Sequence, residues 1–278
     1  MINTKKIGYL GPEGTFSNEA VLQITDDSTL ITPYDTIMDI FVSLENGEID
    51  EAIVPIENST EGSVLVTLDL LTEYDFKIKS ELFLPIKHNL LVQRGKKLEN
   101  ITVICSHSQA IAQCRNYIAN VQKQVQSMSS TANAARYITE ISTAAVIGSK
   151  LLSDKYDLDI LEENIQDYDN NVTRFVLISN HDNNEITGHD KTSIIISLHG
   201  DKPGGLYEVL YEFARNNINL TKIESRPSKK GMGKYNFFID LEGHRNDVLI
   251  ENTLNDVQRK VEFFKIIGSY NQINVGGN

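Results

Sequence analysis

Residues two apart share a strand face and residues three or four apart share a helix face, so the two periods can be told apart along a chain. Up to about residue 180, short apolar runs alternate with stretches of helical spacing. Residues 7–10 (Ile-Gly-Tyr-Leu) predict a strand, and 16–24 a helix. Residues 51–56 (Glu-Ala-Ile-Val-Pro-Ile) predict a second strand, and Val64, Leu68 and Leu71 mark one face of the helix after it. Residues 101–105 and 144–147 repeat the theme, each opening through a serine-bearing loop into a helix. This order predicts an α/β domain with a mainly parallel sheet. Two longer extended runs, 82–92 and 172–178, read as straps joining two lobes.

Residues 180–191 contain a single apolar residue, Ile186, and mark a seam. Beyond it the pattern changes. A strand is predicted at 192–198. After the turn 201–205, a helix runs from 206 to about 216, with Leu206, Leu210 and Phe213 on one face. Strands follow at 220–226 and 235–241, joined by a Gly-rich hairpin at 228–234. A helix at 246–261 carries Ile250, Leu254, Val257 and Val261 on one side, and a last strand covers 263–267. The order βαββαβ is the ferredoxin-like split motif. The expected organisation is a first domain at 1–180, a linker at 181–191 and a second domain at 192–272.

Ligands of open α/β sheets bind at the carboxyl ends of the strands. The loops there carry Gly11, Gly14, Thr15 and Ser17; Asn58, Ser59, Thr60 and Gly62; Ser106, Ser108 and Gln109; Gly148 and Ser149. A fifth, Ser-Ser-Thr-Ala at 129–132, opens another helix. Taken singly, each loop reads as a helix cap, and 106–109 is a capping-box pattern. Taken together, several helix starts with free N–H groups would suit a small dianion without Lys or Arg.

Composition narrows the chemistry. The chain of 278 residues has 26 Lys+Arg against 38 Asp+Glu, a net charge of −12, which argues against a nucleic-acid partner. The two cysteines, Cys105 and Cys114, are too few for a disulfide scaffold and read as core packing rather than as a nucleophile. The six histidines form no zinc-type spacing with them. Gly8, Gly11 and Gly14 do not make a dinucleotide fingerprint, and there is no Walker loop. Neither a metal nor a nucleotide cofactor is expected. No apolar run reaches membrane-span length and no signal-peptide core is visible, so a cytoplasmic protein without membrane partners is expected.

Four motifs carry more than their local chemistry. Gly-Pro-Glu-Gly-Thr-Phe-Ser (11–17), Pro-Ile-Glu-Asn-Ser (55–59), Thr-Arg-Phe (173–175) and Glu-Ser-Arg-Pro (224–227), in this order, resemble prephenate dehydratase. Ser106-His107, Gln109-Ala110 and Gln113-Cys114 are similar to the family as well. The resemblance spans nearly the whole chain. It implies an α/β fold: a bilobal catalytic domain like the type 2 periplasmic binding proteins, then a ferredoxin-like ACT regulatory domain. It implies decarboxylating dehydration of prephenate to phenylpyruvate in phenylalanine biosynthesis. It also implies no cofactor, a homodimer or homotetramer, and L-phenylalanine as an inhibitor acting through the ACT domain.

By the same resemblance Thr173 serves the leaving hydroxyl, and Glu57, Asn58 and Gln113 are further catalytic positions. Glu57 is either a proton source or a surface carboxylate near a helix start. Thr15, Ser59, Ser106, Gln109, Thr131, Arg174 and Phe175 are the expected substrate-binding residues. Pro203, Gly204, Gly205, Leu206 and Tyr207, with Glu224, Ser225, Arg226 and Pro227, are the expected effector site, although Gly205 stands where the family usually has alanine. Nothing like a chorismate mutase segment precedes Ile7, so a monofunctional enzyme is expected. Two other readings stay open: an arogenate dehydratase and a non-enzymatic amino-acid sensor.

Overall fold

Apolar runs become strands where both faces can be buried, and helices form where a single stripe can be. The computed structural model describes residues 4–200, 202–229, 231 and 233–273. They divide into two units. The first holds the chain up to Val64 together with Phe83–Phe175. The second holds Leu65–Leu82 and the chain from Val176 onward. This differs from the division expected at 180–191, because a mid-chain segment belongs to the C-terminal unit.

The first unit opens with β1 (Lys6–Leu10), which pairs in parallel with β2 (Leu30–Tyr34) and β3 (Glu51–Asn58). Two helices link them, α1 (Phe16–Leu22) and α2 (Ile37–Glu45), capped by the side chains of Thr15 and Thr36. Neither β2 nor α2 was expected from the pattern. In β2 only Leu30 and Ile31 precede Thr32 and Pro33, and a proline within a run argues against a strand. A two-residue strand, β4 (Gly62–Ser63), folds back on the end of β3. Next come α3 (Leu65–Glu73) and β5 (Lys77–Pro85).

The second lobe of this unit comprises β6 (Asn89–Gln93), β7 (Val103–His107), α4 (Ser108–Gln113), α5 (Arg115–Val121), β8 (Gln124–Met128), α6 (Thr131–Ile138), β9 (Ala144–Gly148), α7 (Lys150–Tyr156) and β10 (Leu158–Glu162). Its strand order is β10-β6-β9-β7-β8. β7 is parallel to β8 and β9, whereas β6 is antiparallel to β9 and β10, so this sheet is mixed rather than mainly parallel. Alternate residues feed two cores. Leu91, Cys105, Ala144 and Val146 enter one, and Leu90, Val92, Ile104, Ala145 and Ile147 enter the other. Cys105 and Cys114 are free thiols in opposite cores. Burial pushes the Cys114 thiol up to about 12, which suits packing and not nucleophilic attack. The extended run 82–92 breaks after β5, where Ile86 N–H donates to the Asn171 carbonyl at 2.8 Å. β11 (Val172–Ser179) is the second extended run.

The second unit is completed by β12 (Lys191–Leu198), α8 (Gly205–Arg215), β13 (Leu220–Pro227), β14 (Tyr235–Glu242), α9 (Val248–Gln258) and β15 (Val261–Gln272). The pattern places all six, with β15 extending further in both directions than the expected 263–267. Of the expected turns at 201–205 and 228–234, Asp201, Lys230 and Met232 lie outside the described residues. The strand order is β13-β14-β12-β15-β5. Ile194, Ile196, Val209, Phe213, Ile239, Leu254 and Val257 form the core under α8 and α9.

The mid-chain segment is held here by specific contacts. Asn271 and Gln272 of β15 pair with Ser80 and Glu81 of β5 in parallel. Lys265 donates to the carbonyls of Leu71, Thr72 and Tyr74, so its ammonium caps the C-terminal end of α3. Arg226 grips Asp69 of α3 with two hydrogen bonds, 3.0 and 2.9 Å, and Lys229 adds an ion pair at 2.9 Å. Arg226 holds the Asp69 carboxyl below its ordinary range. No helix among the described residues is long and apolar enough to cross a membrane.

Candidate active site

A cavity of about 520 Å³ opens inside the first unit, within the range of small-molecule sites. The first lobe lines it with Leu10, Thr15, Phe16, Asn58 and Glu61. The second lobe contributes His107, Gln109, Gln113 and the α6 start, Ser129 to Thr131. The crossing segments add Ile86, His88, Thr173 and Phe175. No Lys or Arg is among these lining residues, and Glu61 is their one carboxylate. Among the described residues no group of three His, Cys, Asp or Glu could hold a metal ion.

The polar wall has a direction that can be read bond by bond. Asn58 ends β3, and its Oδ1 accepts from Thr60 N–H (2.9 Å), the Thr60 hydroxyl (2.6 Å) and Glu61 N–H (3.2 Å). These donors fix the amide, because only an oxygen can receive backbone N–H groups. Asn58 Nδ2 is therefore the donor, to Asn171 Oδ1 at 2.8 Å and to Thr173 Oγ1 at 2.9 Å. Thr173 accepts here, and no acceptor among the described residues takes its hydroxyl hydrogen. That hydrogen is free to be donated into the cavity.

A second branch starts from Gln113. Its Nε2 donates to Glu61 Oε1 at 3.0 Å, which makes its Oε1 the acceptor for Asn171 Nδ2 at 2.8 Å and for His88 Nε2 at 2.9 Å. His88 must then carry its proton on Nε2. The ring is 2% exposed, and its Nδ1 is buried without a hydrogen-bond partner. It meets Phe16 edge to face at a centroid distance of 5.3 Å.

Burial lowers the His88 pKa below its ordinary value, and the hydrogen bond to Gln113 opposes that only in part. The same ring titrates near 6.5 in an unfolded chain. A depressed folded pKa makes the stability complete above about pH 6.5 and lost as pH falls through the folded value. In denaturant titrations between pH 7.5 and 5, the wild type should lose stability more steeply than His88→Leu. Parallel curves would show that the ring takes up its proton without cost.

The expected site residues separate into two groups. Asn58, Gln113, Thr173, Thr15, Gln109, Thr131 and Phe175 line the cavity. Glu57, Ser59, Ser106 and Arg174 are not among the lining residues. Glu57 faces Arg174 at 3.7 Å. Ser59 Oγ accepts from Val172 N–H at 2.9 Å and donates to the Asn170 carbonyl at 3.1 Å, tying the end of β3 to the start of β11. Ser106 is fully buried and donates to the Ile147 carbonyl at 2.6 Å. The expected capping box at 106–109 is replaced by His107, whose side chain accepts from Gln109 N–H. Thr15 also caps a helix, donating to the Pro12 carbonyl while accepting from Asn18 N–H.

The structure adds His88, Asn171 and Glu61, which the sequence reading did not single out, and brings in Phe16 and His107, which the motifs contain without an assigned role. For His88 a signal existed. A lone histidine inside the apolar run 82–92 must be buried, and a buried polar group needs a partner. In the second unit, Gly204 takes φ +86 at the start of α8, a conformation that favours glycine, and Gly205 is the first residue of the helix. Tyr207 is 67% exposed, whereas Arg226 is engaged by Asp69.

A family model described as prephenate dehydratase matches residues 7–183, and one described as ACT domain matches 192–259. A prephenate dehydratase of Methanocaldococcus jannaschii is 43% identical, over 96% of this chain and 98% of the relative. That of Bacillus subtilis is 36% identical, over 95% and 98%. Among solved structures, a prephenate dehydratase from Arthrobacter aurescens in complex with L-Phe superposes with a TM-score of 0.88. It is 34% identical and covers 98% of this chain and 92% of that one.

Proposed function

The chain belongs to the prephenate dehydratase family, and from that premise we propose that it converts prephenate to phenylpyruvate, carbon dioxide and water under feedback control by L-phenylalanine. The observation that carries the mechanism is the orientation of Thr173. Its oxygen accepts from Asn58, so its hydroxyl hydrogen is available to a leaving group in the cavity.

The substrate supplies its own driving force. As the ring carboxylate leaves as carbon dioxide, the electrons of the broken C–C bond enter the ring. The ring becomes aromatic by expelling the hydroxyl at the opposite position. That hydroxyl needs one proton to depart as water, so the dianion plus one proton gives the phenylpyruvate anion, carbon dioxide and water. Thr173 donates a hydrogen bond, or relays a proton, to the departing oxygen. A threonine hydroxyl is a weak acid, so polarisation rather than full transfer is its natural contribution. Hydroxyl, amide and backbone N–H donors from Thr15, Gln109, Thr131 and their neighbours would hold the two carboxylates in the absence of a lining Lys or Arg.

The motifs at 203–207 and 224–227 form the phenylalanine site in this reading. We assign the chain to the cytoplasm as a homodimer or homotetramer. β13 is an edge strand with Ile223 47% exposed, a surface that a second copy could cover.

The test is formation of phenylpyruvate from purified protein and prephenate, with and without phenylalanine. Cofactor-free turnover suppressed by phenylalanine is the expected result. No turnover, with prephenate or phenylalanine still bound, would favour the sensor. Faster turnover of arogenate in a parallel assay would reassign the substrate.

A further inference from the structure

We propose that His88 is a positioning residue of the dehydration, holding Gln113 and Asn171 so that Asn58 presents Thr173 with its hydrogen toward the substrate. The inference rests on the reaction proposed above and concerns a residue that the motifs do not contain.

The chain of contacts is continuous. His88 Nε2–H donates to Gln113 Oε1, which also receives Asn171 Nδ2. Asn171 Oδ1 in turn receives Asn58 Nδ2, the group that also donates to Thr173. Gln113 Oε1 thus sits between two donors. Without the donor from His88, Gln113 Oε1 keeps only Asn171 Nδ2, and the amide can tilt about its last torsion, which is soft for an sp³–sp² bond. A tilted Gln113 would carry its Oε1 off the line of Asn171 Nδ2 and loosen the order of donors that ends at Thr173. The other end of Gln113 is held by Glu61, which fixes the direction but not the tilt.

The choice of residue also argues for a role. His88 is buried, and its Nδ1 has no partner, a state that native folds rarely tolerate. A leucine or phenylalanine would fill the space among Phe16 and its neighbours without leaving an acceptor unsatisfied. What only histidine supplies at this depth is the Nε2–H donor together with a flat ring against Phe16. The backbone of residue 88 is pinned independently. Its N–H donates to Gln166 Oε1 at 2.9 Å and its carbonyl accepts from Ile165 N–H at 2.8 Å, so the ring is aimed by the main chain.

The test compares three substitutions in the full chain. His88→Leu keeps the volume and removes the donor. His88→Asn ends at the Nδ1 position, short of Gln113. His88→Gln places an amide N–H where Nε2 stands. The first two should lose about 10- to 100-fold in kcat with KM moved less than about threefold, since the effect is on orientation and not on binding. His88→Gln should recover most of the loss. Long-range proton–nitrogen correlation of the wild type at pH 7.5 should show a neutral ring protonated at Nε2. If His88→Leu turns over at the wild-type rate, if Gln and Asn perform alike, or if the ring is protonated at Nδ1, the proposal is wrong. If the wild type itself does not convert prephenate, the functional reading falls and takes this proposal with it. Wild-type turnover with unaffected variants removes this proposal alone.

Discussion

Thr173→Ala should lower kcat by about 10²- to 10³-fold, the usual loss for one donor aimed at developing charge. That corresponds to about 3–4 kcal/mol of transition-state stabilisation. KM should move little, because the ring hydroxyl is neutral until it begins to leave. The substitution removes the acceptor for one Asn58 N–H, but Asn58 keeps Asn171 as a partner and its oxygen keeps three donors. The fold around it should survive. Thr173→Ser restores the hydroxyl without the β-branch that limits its rotamers, and should return to within about tenfold of the wild type. Steady-state kinetics on prephenate for the three proteins decides the matter. An alanine variant with normal kcat would move the proton source to Glu61, the one carboxylate lining the cavity.

The second large effect concerns stability. Gly268→Ala should lower the thermal midpoint by roughly 6–12 °C, from about 3 kcal/mol of strain and displaced backbone. Gly268 lies in β15 at φ +154, and a Cβ there would stand 2.3 Å from the Ile78 carbonyl oxygen and 2.9 Å from its nitrogen. Both are main-chain atoms of β5, which cannot turn aside as a side chain could. The register of β15 against β12 shifts between Ser193 and Ile194, beside this glycine, so the local bulge brings β15 onto β5. Gly205→Ala makes a useful control, since its Cβ would meet only Leu198 at 3.5 Å, an ordinary contact. Scanning calorimetry of both variants should separate them clearly. Equal midpoints would mean that β5 can shift without loss.

The βαββαβ order after residue 190 was legible because its strands alternate and its helices carry clean stripes such as Ile250, Leu254 and Val257. Thr15, Asn58, Gln109 and Thr131 were legible because polar loops at strand ends stand out from apolar strands, whereas Gln113, Thr173 and Phe175 were reached only through the family resemblance. Glu57 and Arg174 show the limit of that reasoning. They neighbour Asn58 and Thr173 in sequence, but adjacent strand residues face opposite sides, so a motif does not send all its members to one surface. Ser106 illustrates another limit: a hydroxyl at a strand end can serve the backbone of the next strand as readily as a ligand. Asn171 and Glu61 escaped because their importance lies in partners more than 50 residues away, Asn58 and Gln113. No local pattern encodes such pairings. The assignment of 65–82 to the C-terminal unit was invisible for the same reason, since Asp69 and Lys265 meet partners that only the folded topology brings near.

That assignment has a consequence for how the chain is made. A ribosome adds roughly 5–20 residues per second, and about 180 residues separate Leu82 from the start of β15. The strand β5 therefore emerges roughly 10–40 seconds before its edge partner exists. During that interval Ser80 and Glu81 lack the backbone partners that Asn271 and Gln272 of β15 will bring. A nascent chain stalled in this window presents an open strand edge, with unpaired backbone groups that invite wrong pairing. A chain cut before residue 191 would remain in that state permanently. Deleting the C-terminal region is thus not a route to a simply unregulated enzyme, because the protein would carry a strand built for a neighbour it never receives.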